Sequence, residues 1–166
     1  EPFAVILADD LLDGDPPIMK QMVEMFAEHN SSILAVQNVA REETGSYGIV
    51  DSQPMGNGLH KVSGMVEKPK PADAPSTLAV VGRYILKPRI FHYLESIGAG
   101  SGGEIQLTDG IAALLNEERV MAYEFKGKRY DCGSKLGYLE ATMAYALKHP
   151  EVGKDFARLL KHFQQA

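Results

Sequence analysis

The chain has 166 residues, 45% of them hydrophobic and 23% charged, an ordinary composition for a globular protein that predicts a single domain. Its net charge of -5 argues against a nucleic acid partner, because binding to a phosphate backbone needs a surplus of Lys and Arg. The single cysteine, Cys132, excludes an internal disulfide, and because there is no secretory signal and no apolar run of ~20 residues we expect a cytoplasmic protein without a membrane partner.

The chain opens with an apolar run, FAVIL at residues 3–7, which is followed by the acidic residues Asp9 and Asp10. An unbroken run of this kind is typical of a strand that is buried on both faces of a parallel sheet. Ligands of open α/β sheets bind at the carboxyl ends of such strands. We therefore expect a ligand close to these two carboxylates.

The first forty residues predict a β-α-β unit. Asp15, followed by Pro16 and Pro17, is typical of a helix start, and apolar residues then recur at helical spacing through about Asn30. The stretch SILAVQNV at residues 32–39 predicts the next strand. This alternation indicates a parallel sheet covered by helices.

From residue 47 onward the sequence predicts short strands and helices, with no internal repeat and no linker that would divide the chain. We predict strands at 47–51, 59–69, 77–86 and 120–127, a Gly-rich loop at 98–103, and helices at 87–96, 104–118, about 135–148 and 151–164. The last two helices carry apolar stripes, which we expect to pack in the core rather than on another subunit. The stripes consist of Leu136, Leu139, Met143 and Leu147, and of Phe156, Leu159, Leu160 and Phe163.

Two aspartates follow two of the predicted strands. Asp9 stands at the carboxyl end of the first strand, and Asp131 lies just beyond the strand at 120–127. If these strands are neighbours, the two carboxylates converge, and carboxylate oxygens are ligands that Mg²⁺ takes together with water and substrate phosphates. Spacing alone favours a simpler interpretation, in which each aspartate caps the element that follows it.

The stretch VEKP at residues 66–69 places a carboxylate beside an ammonium group at the end of a strand. Glu67 can accept hydrogen bonds from sugar hydroxyls, and Lys68 can meet a phosphate. Neighbours on a regular strand point to opposite faces, so both can serve one ligand only if the strand twists or stops there, and Pro69 supplies a stop. Without further context, a solvent-exposed Glu-Lys pair is the simpler interpretation.

Two glycines and an arginine are further candidates for ligand contact. Gly48 and Gly82 would let a ligand approach the backbone, and Arg83 can contact a phosphate. A plain turn or bulge is the simpler explanation for both glycines. Capping of a helix start likewise accounts for Glu104 and Asp109 without a function.

These signals occur in one order along the chain, namely ILADD, SYGIVD, VEKPKP, LAVVGRYIL, GGEIQLTDGI and KGKRYDCGSKLGY. The series closely resembles the carboxyl-terminal half to two-thirds of the bacterial UTP:glucose-1-phosphate uridylyltransferases. The combination of EIQLTD with DCGSKLGY is specific to that family among sugar nucleotidyltransferases, and the resemblance covers essentially the whole chain.

The resemblance implies a partial Rossmann-like nucleotide-sugar transferase fold of the α/β class. In that fold a mixed, mostly parallel sheet bears a small β insertion, here about 47–85, and C-terminal helices follow, here about 135–164, within one domain. The resemblance also implies a homo-oligomer that uses Mg²⁺ and joins UTP to glucose 1-phosphate, giving UDP-glucose and pyrophosphate.

The resemblance also assigns roles to individual residues. Asp9 and Asp131 resemble the metal-binding acids, and together with Lys68, which meets the sugar-linked phosphate, they form the catalytic set. Gly48 and Glu67 match positions that hold the glucose hydroxyls. The remaining candidates for substrate binding or for the pocket wall are Gly82, Arg83, Glu104 and Asp109.

One departure from the family is large. Its members begin with a strand and a glycine-rich loop, roughly G-x-G-T-R and a following lysine, which binds the nucleotide, and this sequence contains nothing like it. We therefore expect a piece of a longer enzyme, with little activity by itself. Two alternatives stay open: a non-catalytic sugar-nucleotide-binding or regulatory subunit, and a sibling nucleotidyltransferase that uses another nucleotide.

Overall fold

The computed structural model describes residues 1–99 and 103–163, and these ranges contain eight strands, five α-helices and one 3-10 helix at Arg41–Ser46. The strands are β1 (Phe3–Ile6), β2 (Asp10–Asp13), β3 (Ser32–Asn38), β4 (Gly48–Gly56), β5 (Leu59–Glu67), β6 (Leu78–Leu86), β7 (Val120–Glu124) and β8 (Lys128–Asp131). The helices are α1 (Ile18–His29), α2 (Ile90–Ser96), α3 (Leu107–Leu114), α4 (Lys135–Lys148) and α5 (Gly153–Phe163). Residues 100–102 of the predicted Gly-rich loop, and residue 164 of the last predicted helix, lie outside the described residues.

Six strands form one mixed sheet in the order β1-β6-β3-β7-β5-β4. The α/β class and the mixed sheet are confirmed, but the expectation of a mostly parallel sheet is wrong. Only β3 and β7 pair in parallel within the described part of the chain, and the other pairings are antiparallel. The cause is local for β4 and β5, since a tight turn with positive φ at Asn57 and Gly58 joins them and such turns connect antiparallel strands. Residues 47–85 supply β4, β5 and most of β6, in the same sheet as β3 and β7.

Helices cover both faces of this sheet. Ile33 and Leu34 are neighbours on β3 and point to opposite faces, where each is fully buried. On one face Ile33 packs with Ile18 and Met22 of α1. On the other face Leu34 belongs to the cluster that contains the buried residues of α2 and α3, namely Ile90, Ile111 and Leu114. The core therefore has three layers, and the helix predicted after Pro17 forms one of the outer two.

β1 lies at the edge of the sheet. It pairs with β6 on one side, and its side chains alternate between half-buried and exposed, with Ile6 57% exposed. The prediction of a strand buried on both faces is therefore wrong. The chain turns at Ala8 and Asp9, and β2 then leaves the large sheet to form a separate two-stranded antiparallel sheet with β8.

The expectation that the last two helices pack in the core is also wrong. α4 contacts β8 and α5, and its buried residue is Ala141, while the apolar stripe is left outside, with Leu136 78% exposed. Phe163 of α5 is 69% exposed. The helix predicted at 104–118 is shorter than expected, since α3 ends at Leu114. None of the helices in the described ranges has both the length and the apolar character required to cross a bilayer.

Candidate functional site

A cavity of about 380 Å³ lies where the two-stranded sheet meets β4, β5 and β6, a volume typical of small-molecule sites. Its lining includes six of the nine residues that the sequence analysis proposed for catalysis, for substrate binding or for the pocket wall, which are Asp9, Gly48, Glu67, Lys68, Gly82 and Asp131. The other lining residues are Leu7, Asp10, Ser46, Tyr47, Val80 and Arg129. The cavity is therefore polar. The part of its lining that Asp9 and Asp131 supply is called the acidic end, and the part that Glu67 and Lys68 supply is considered separately.

The acidic end of the cavity is formed by Asp9 and Asp131. They are brought together by the β2–β8 pairing, in which Asp10 lies opposite Asp131, and not by neighbouring positions of β1 and β7 in the large sheet. The Asp9 carbonyl also accepts a hydrogen bond from the Cys132 N–H at 2.7 Å. A Cβ at Gly133 would lie 3.3 Å from Asp9 Oδ2 and 3.2 Å from Asp131 Oδ1, so both carboxylates approach the same point.

Asp10 has a different environment from Asp9. It is 7% exposed, its Oδ2 accepts a hydrogen bond from the Gly82 N–H at 2.8 Å, and its Oδ1 forms an ion pair with Nε of Arg129. These bonds occupy the carboxylate within the protein. A Cβ at Gly82 would meet Asp10 Oδ2 at 2.7 Å and Leu7 Cβ at 2.6 Å, so the glycine makes room for Asp10.

Glu67 and Lys68 both line the cavity, although neighbours on a strand point to opposite faces. β5 ends at Glu67, and Lys68 has a φ of +47°, in the left-handed region that non-glycine residues seldom adopt. The Lys68 N–H donates to the Tyr47 carbonyl at 2.9 Å, which holds this turn. Lys68 Nζ lies 3.8 Å from Glu67 Oε1. The change of direction that the sequence attributed to Pro69 therefore occurs one residue earlier.

Thr108 of the EIQLTD segment, which the sequence analysis did not single out, does not line the cavity but contacts a residue that does, Glu67. Thr108 lies in the first turn of α3, and its hydroxyl donates to Glu67 Oε2 at 2.6 Å. Gly48 stands opposite Glu67 in the β4–β5 pairing, and a Cβ there would meet Thr108 Oγ1 at 2.9 Å. Glu104 and Asp109 do not line the cavity. No local sequence signal marks Thr108, because its partner lies 41 residues away.

Arg83, like Glu104 and Asp109, was proposed for the site but does not line the cavity. Its guanidinium donates to the carbonyls of Leu7 at 3.2 Å, Gly82 at 2.8 Å and Asp10 at 2.7 Å. These bonds hold the turn between β1 and β2. The position of Arg83 therefore does not support the phosphate contact that the sequence suggested.

Arg129 links the acidic end of the cavity to the opposite wall, and it too was missed by the sequence analysis. Besides its ion pair with Asp10, it donates to the Tyr47 hydroxyl at 3.1 Å, and its guanidinium carbon lies 5.2 Å from the centre of the Tyr47 ring. Burial acts to lower the pKa of Arg129, but hydrogen bonds to Tyr47 and Asp10 outweigh it and raise the pKa. Arg129 therefore stays charged and connects β8 to the residue that precedes Gly48.

The residues that could hold a metal are Asp9 and Asp131. In the ranges that the structure describes, no group of three or more His, Cys, Asp and Glu side chains is arranged to bind a metal ion. Two convergent carboxylates suit Mg²⁺, which commonly binds through one or two of them and completes its shell with water and substrate phosphates. The donor set therefore fits a metal that binds together with a phosphorylated ligand.

Comparison with known proteins agrees with the resemblance seen in the sequence. Residues 1–148 match the family model described as nucleotidyl transferase. A UTP-glucose-1-phosphate uridylyltransferase of Staphylococcus epidermidis is 45% identical over 161 residues, which are 97% of this chain and 56% of that protein. Its counterpart from Pseudomonas aeruginosa is 51% identical over 145 residues, which are 86% of this chain and 52% of that protein.

Solved structures of related proteins agree with the sequence comparison. A UDP-glucose pyrophosphorylase complexed with UDP-glucose matches 90% of this chain with a TM-score of 0.86 and 48% identity, over 57% of its own length. A UTP-bound UGPase from Acinetobacter baumannii matches 96% of this chain with a TM-score of 0.83 and 40% identity, over 56% of its own length. The chain thus spans about half the length of the relatives that it matches.

Proposed function

Because the chain belongs to the nucleotidyl transferase family, we propose that it forms the metal- and sugar-phosphate-binding part of a protein that transfers the uridylyl group of UTP to glucose 1-phosphate. The products are UDP-glucose and pyrophosphate. The observation that supports this proposal is that the acids Asp9 and Asp131 and the pair Glu67 and Lys68 line one and the same cavity. One end of the cavity suits a metal with phosphates, and the other end suits a sugar.

The sugar end is proposed to bind glucose through Glu67. Its side chain is 13% exposed, and an ionised carboxylate only accepts hydrogen bonds, so hydroxyl groups of a bound sugar are suitable partners. The Lys68 side chain is 54% exposed and can bring its ammonium group to the phosphate that the sugar carries. Gly48 lines the same cavity, and the space beside it is filled by Thr108 and Glu67.

The acidic end is proposed to hold Mg²⁺ between Asp9 and Asp131. When bound, the ion offsets the negative charge of the phosphates. The β2–β8 pairing and the Cys132 N–H bond to the Asp9 carbonyl keep the two carboxylates together, so the site does not have to be assembled at each turnover.

In the proposed reaction a phosphate oxygen of glucose 1-phosphate attacks the α-phosphorus of UTP. A new oxygen–phosphorus bond forms, the bond to the leaving pyrophosphate breaks, and pyrophosphate takes the electron pair. Chemistry of this type needs positioning and charge neutralisation rather than a covalent intermediate on the protein. Glu67 and Lys68 supply the positioning of the sugar phosphate. The glycine-rich loop of the family, which these 166 residues do not contain, would bind the nucleotide.

The test is Asp9→Asn in the full-length protein, assayed for UDP-glucose formation from UTP and glucose 1-phosphate with Mg²⁺. We expect turnover to fall by more than about 100-fold. Even the loss of a residue that only hydrogen-bonds to a metal ligand lowers metal affinity or activity by about 10–100-fold. We expect the free energy of unfolding to change by less than about 1 kcal/mol, because Asp9 is exposed.

Asp73→Asn is the matched control, because Asp73 is exposed and does not line the cavity, and it should leave turnover unchanged. Near wild-type turnover of Asp9→Asn at saturating Mg²⁺ would contradict the metal role. Failure of the unmodified protein to make UDP-glucose would contradict the proposed function itself.

A further inference from the structure

We propose that Thr108 is a positioning residue that orients the Glu67 carboxylate toward the sugar and thereby helps to select the sugar phosphate. The inference rests on the proposed function, because it takes Glu67 as the residue that binds the sugar hydroxyls. Its basis is the hydrogen bond of 2.6 Å from the Thr108 hydroxyl to Glu67 Oε2, which joins the first turn of α3 to the end of β5.

The two oxygens of Glu67 have different surroundings. Oε2 accepts the Thr108 proton, whereas Oε1 lies 3.8 Å from Lys68 Nζ, which is beyond hydrogen-bond distance. A carboxylate has about four acceptor positions, and the Thr108 hydroxyl takes one of them. Glu67 lines the cavity, so acceptor capacity beyond this bond can serve a ligand there, while Thr108 fixes the plane of the carboxylate.

The packing around this bond makes the arrangement rigid. α3 is anchored in the core by Ile111 and Leu114, and it packs against β5. A Cβ at Gly48 would come within 2.9 Å of Thr108 Oγ1 and 3.2 Å of Glu67 Oε2. Three elements therefore meet at the carboxylate, and the missing side chain of Gly48 is what allows Thr108 and Glu67 to touch.

The physical consequence is a carboxylate with one orientation. Without the Thr108 hydroxyl, Oε2 loses its donor, and the carboxylate can rotate toward the ammonium group of Lys68. Sugars that differ in the direction of one hydroxyl would then be distinguished less well, because selection by a carboxylate depends on where its lone pairs point. Binding of UTP should not change, since the hydrogen bond of Thr108 is to Glu67, which is proposed to bind the sugar.

The experiment compares Thr108→Val, which keeps the shape but removes the donor, with Thr108→Ser, which keeps the donor, in the full-length protein. We expect Thr108→Val to raise the KM for glucose 1-phosphate by about tenfold, the effect of losing one hydrogen bond to a charged group. The KM for UTP should stay within about twofold. The preference in kcat/KM for glucose 1-phosphate over galactose 1-phosphate should fall, and Thr108→Ser should restore both values.

Thr142→Val is the matched control, because the Thr142 hydroxyl donates to the Tyr138 carbonyl at 2.8 Å on exposed α4, and it should leave all these values unchanged. The inference is overturned if Thr108→Val leaves the KM for glucose 1-phosphate unchanged, if it raises the KM for both substrates equally, or if Thr108→Ser is equally impaired.

A protein that makes no UDP-glucose would refute the proposed function separately, and crystal structures of the two Thr108 variants would then decide the inference. A Glu67 carboxylate that rotates away from residue 108 in Thr108→Val but not in Thr108→Ser supports the positioning role. An unmoved carboxylate in both variants overturns it.

Discussion

The neighbouring acids Asp9 and Asp10 have different surroundings and different proposed roles. Asp9 turns its carboxylate toward Asp131, while Asp10 is buried and bonded to Arg129 and to the Gly82 N–H. A buried carboxylate is tolerated only when it has partners, so the charge of Arg129 is what permits Asp10 to be buried in the lining of the cavity. The Asp10–Arg129 pair therefore forms part of the cavity wall, whereas Asp9 is proposed to bind the metal.

Removing the partner of Asp10 should have a large effect on stability. Arg129→Met leaves the carboxylate buried without its cation, and we expect the free energy of unfolding to fall by about 3–5 kcal/mol. Arg158→Met is the matched control, because it breaks an ion pair with Asp155 in which the side chains are 79% and 72% exposed, and pairs of that kind contribute less than about 1 kcal/mol.

Urea unfolding of the full-length protein measures both losses. The double variant Arg129→Met with Asp10→Asn should recover part of the stability, since the neutral amide no longer needs a cation and its oxygen can still accept the Gly82 N–H. Equal losses in Arg129→Met and Arg158→Met would show that the buried pair is no more important than the exposed one.

At the scale of the element, the sequence predicted the helices and most of the strands, but it missed β2 and β8 and did not give the pairing of the strands. The periodicity of α1 and the apolar run of β3 are local properties, and both elements form where they were expected. The direction in which strands pair depends on the turns and crossovers between them, so the parallel sheet was wrongly inferred. The apolar stripe of α4 showed that one face is apolar, but not what covers that face.

The candidate site was predictable to a similar extent. Asp9, Glu67, Lys68 and Asp131 stand at strand ends within recognisable motifs, and all four line one cavity. The roles proposed for them stay predictions. Thr108 and Arg129 could not be found in this way, because their partners are 41 and 119 residues away in the sequence and become neighbours only in the fold.

The strand β6 carries a tyrosine whose ionisation should be visible in the stability of the protein at alkaline pH. Burial, followed by the negative charges of Glu67 and Asp10, raises the pKa of Tyr84 from 10.0 to about 12. Between pH 10 and 12 the folded protein keeps a proton that the unfolded chain has lost. The contribution of Tyr84 is therefore complete below pH 10 and is lost as the pH rises through about 12.

Tyr84→Phe removes the ionisable group. The loss of unfolding free energy between pH 10 and 12 should therefore be smaller in the variant than in wild type by about 2–3 kcal/mol. Urea unfolding of wild type and variant at pH 8 and across the alkaline range measures the difference. An identical dependence of stability on pH in the two proteins would contradict the contribution assigned to Tyr84.

At the scale of the whole molecule, the site is built from segments that are far apart in the sequence, whereas several apolar surfaces are left uncovered. Leu136 and Leu139 of α4 are 78% and 56% exposed, Phe163 of α5 is 69% exposed, and Ile6 on the edge strand β1 is 57% exposed. Exposed apolar patches and open strand edges favour association. The homo-oligomer that the family resemblance implies stays a prediction.

We therefore expect the 166-residue chain, when it is produced by itself, to self-associate and to make little or no UDP-glucose. Association should follow from the apolar residues of α4, so Leu136→Glu combined with Leu139→Lys should reduce it without unfolding the chain, because both side chains are exposed.

Low activity should follow from the lack of the family's glycine-rich nucleotide-binding loop, and the same substitutions should not restore it. Light scattering after size-exclusion chromatography measures the association, and the UTP and glucose 1-phosphate assay measures the activity. A monomeric chain with robust turnover would refute both expectations, and it would mean that the cavity around Asp9 and Glu67 is sufficient for the reaction.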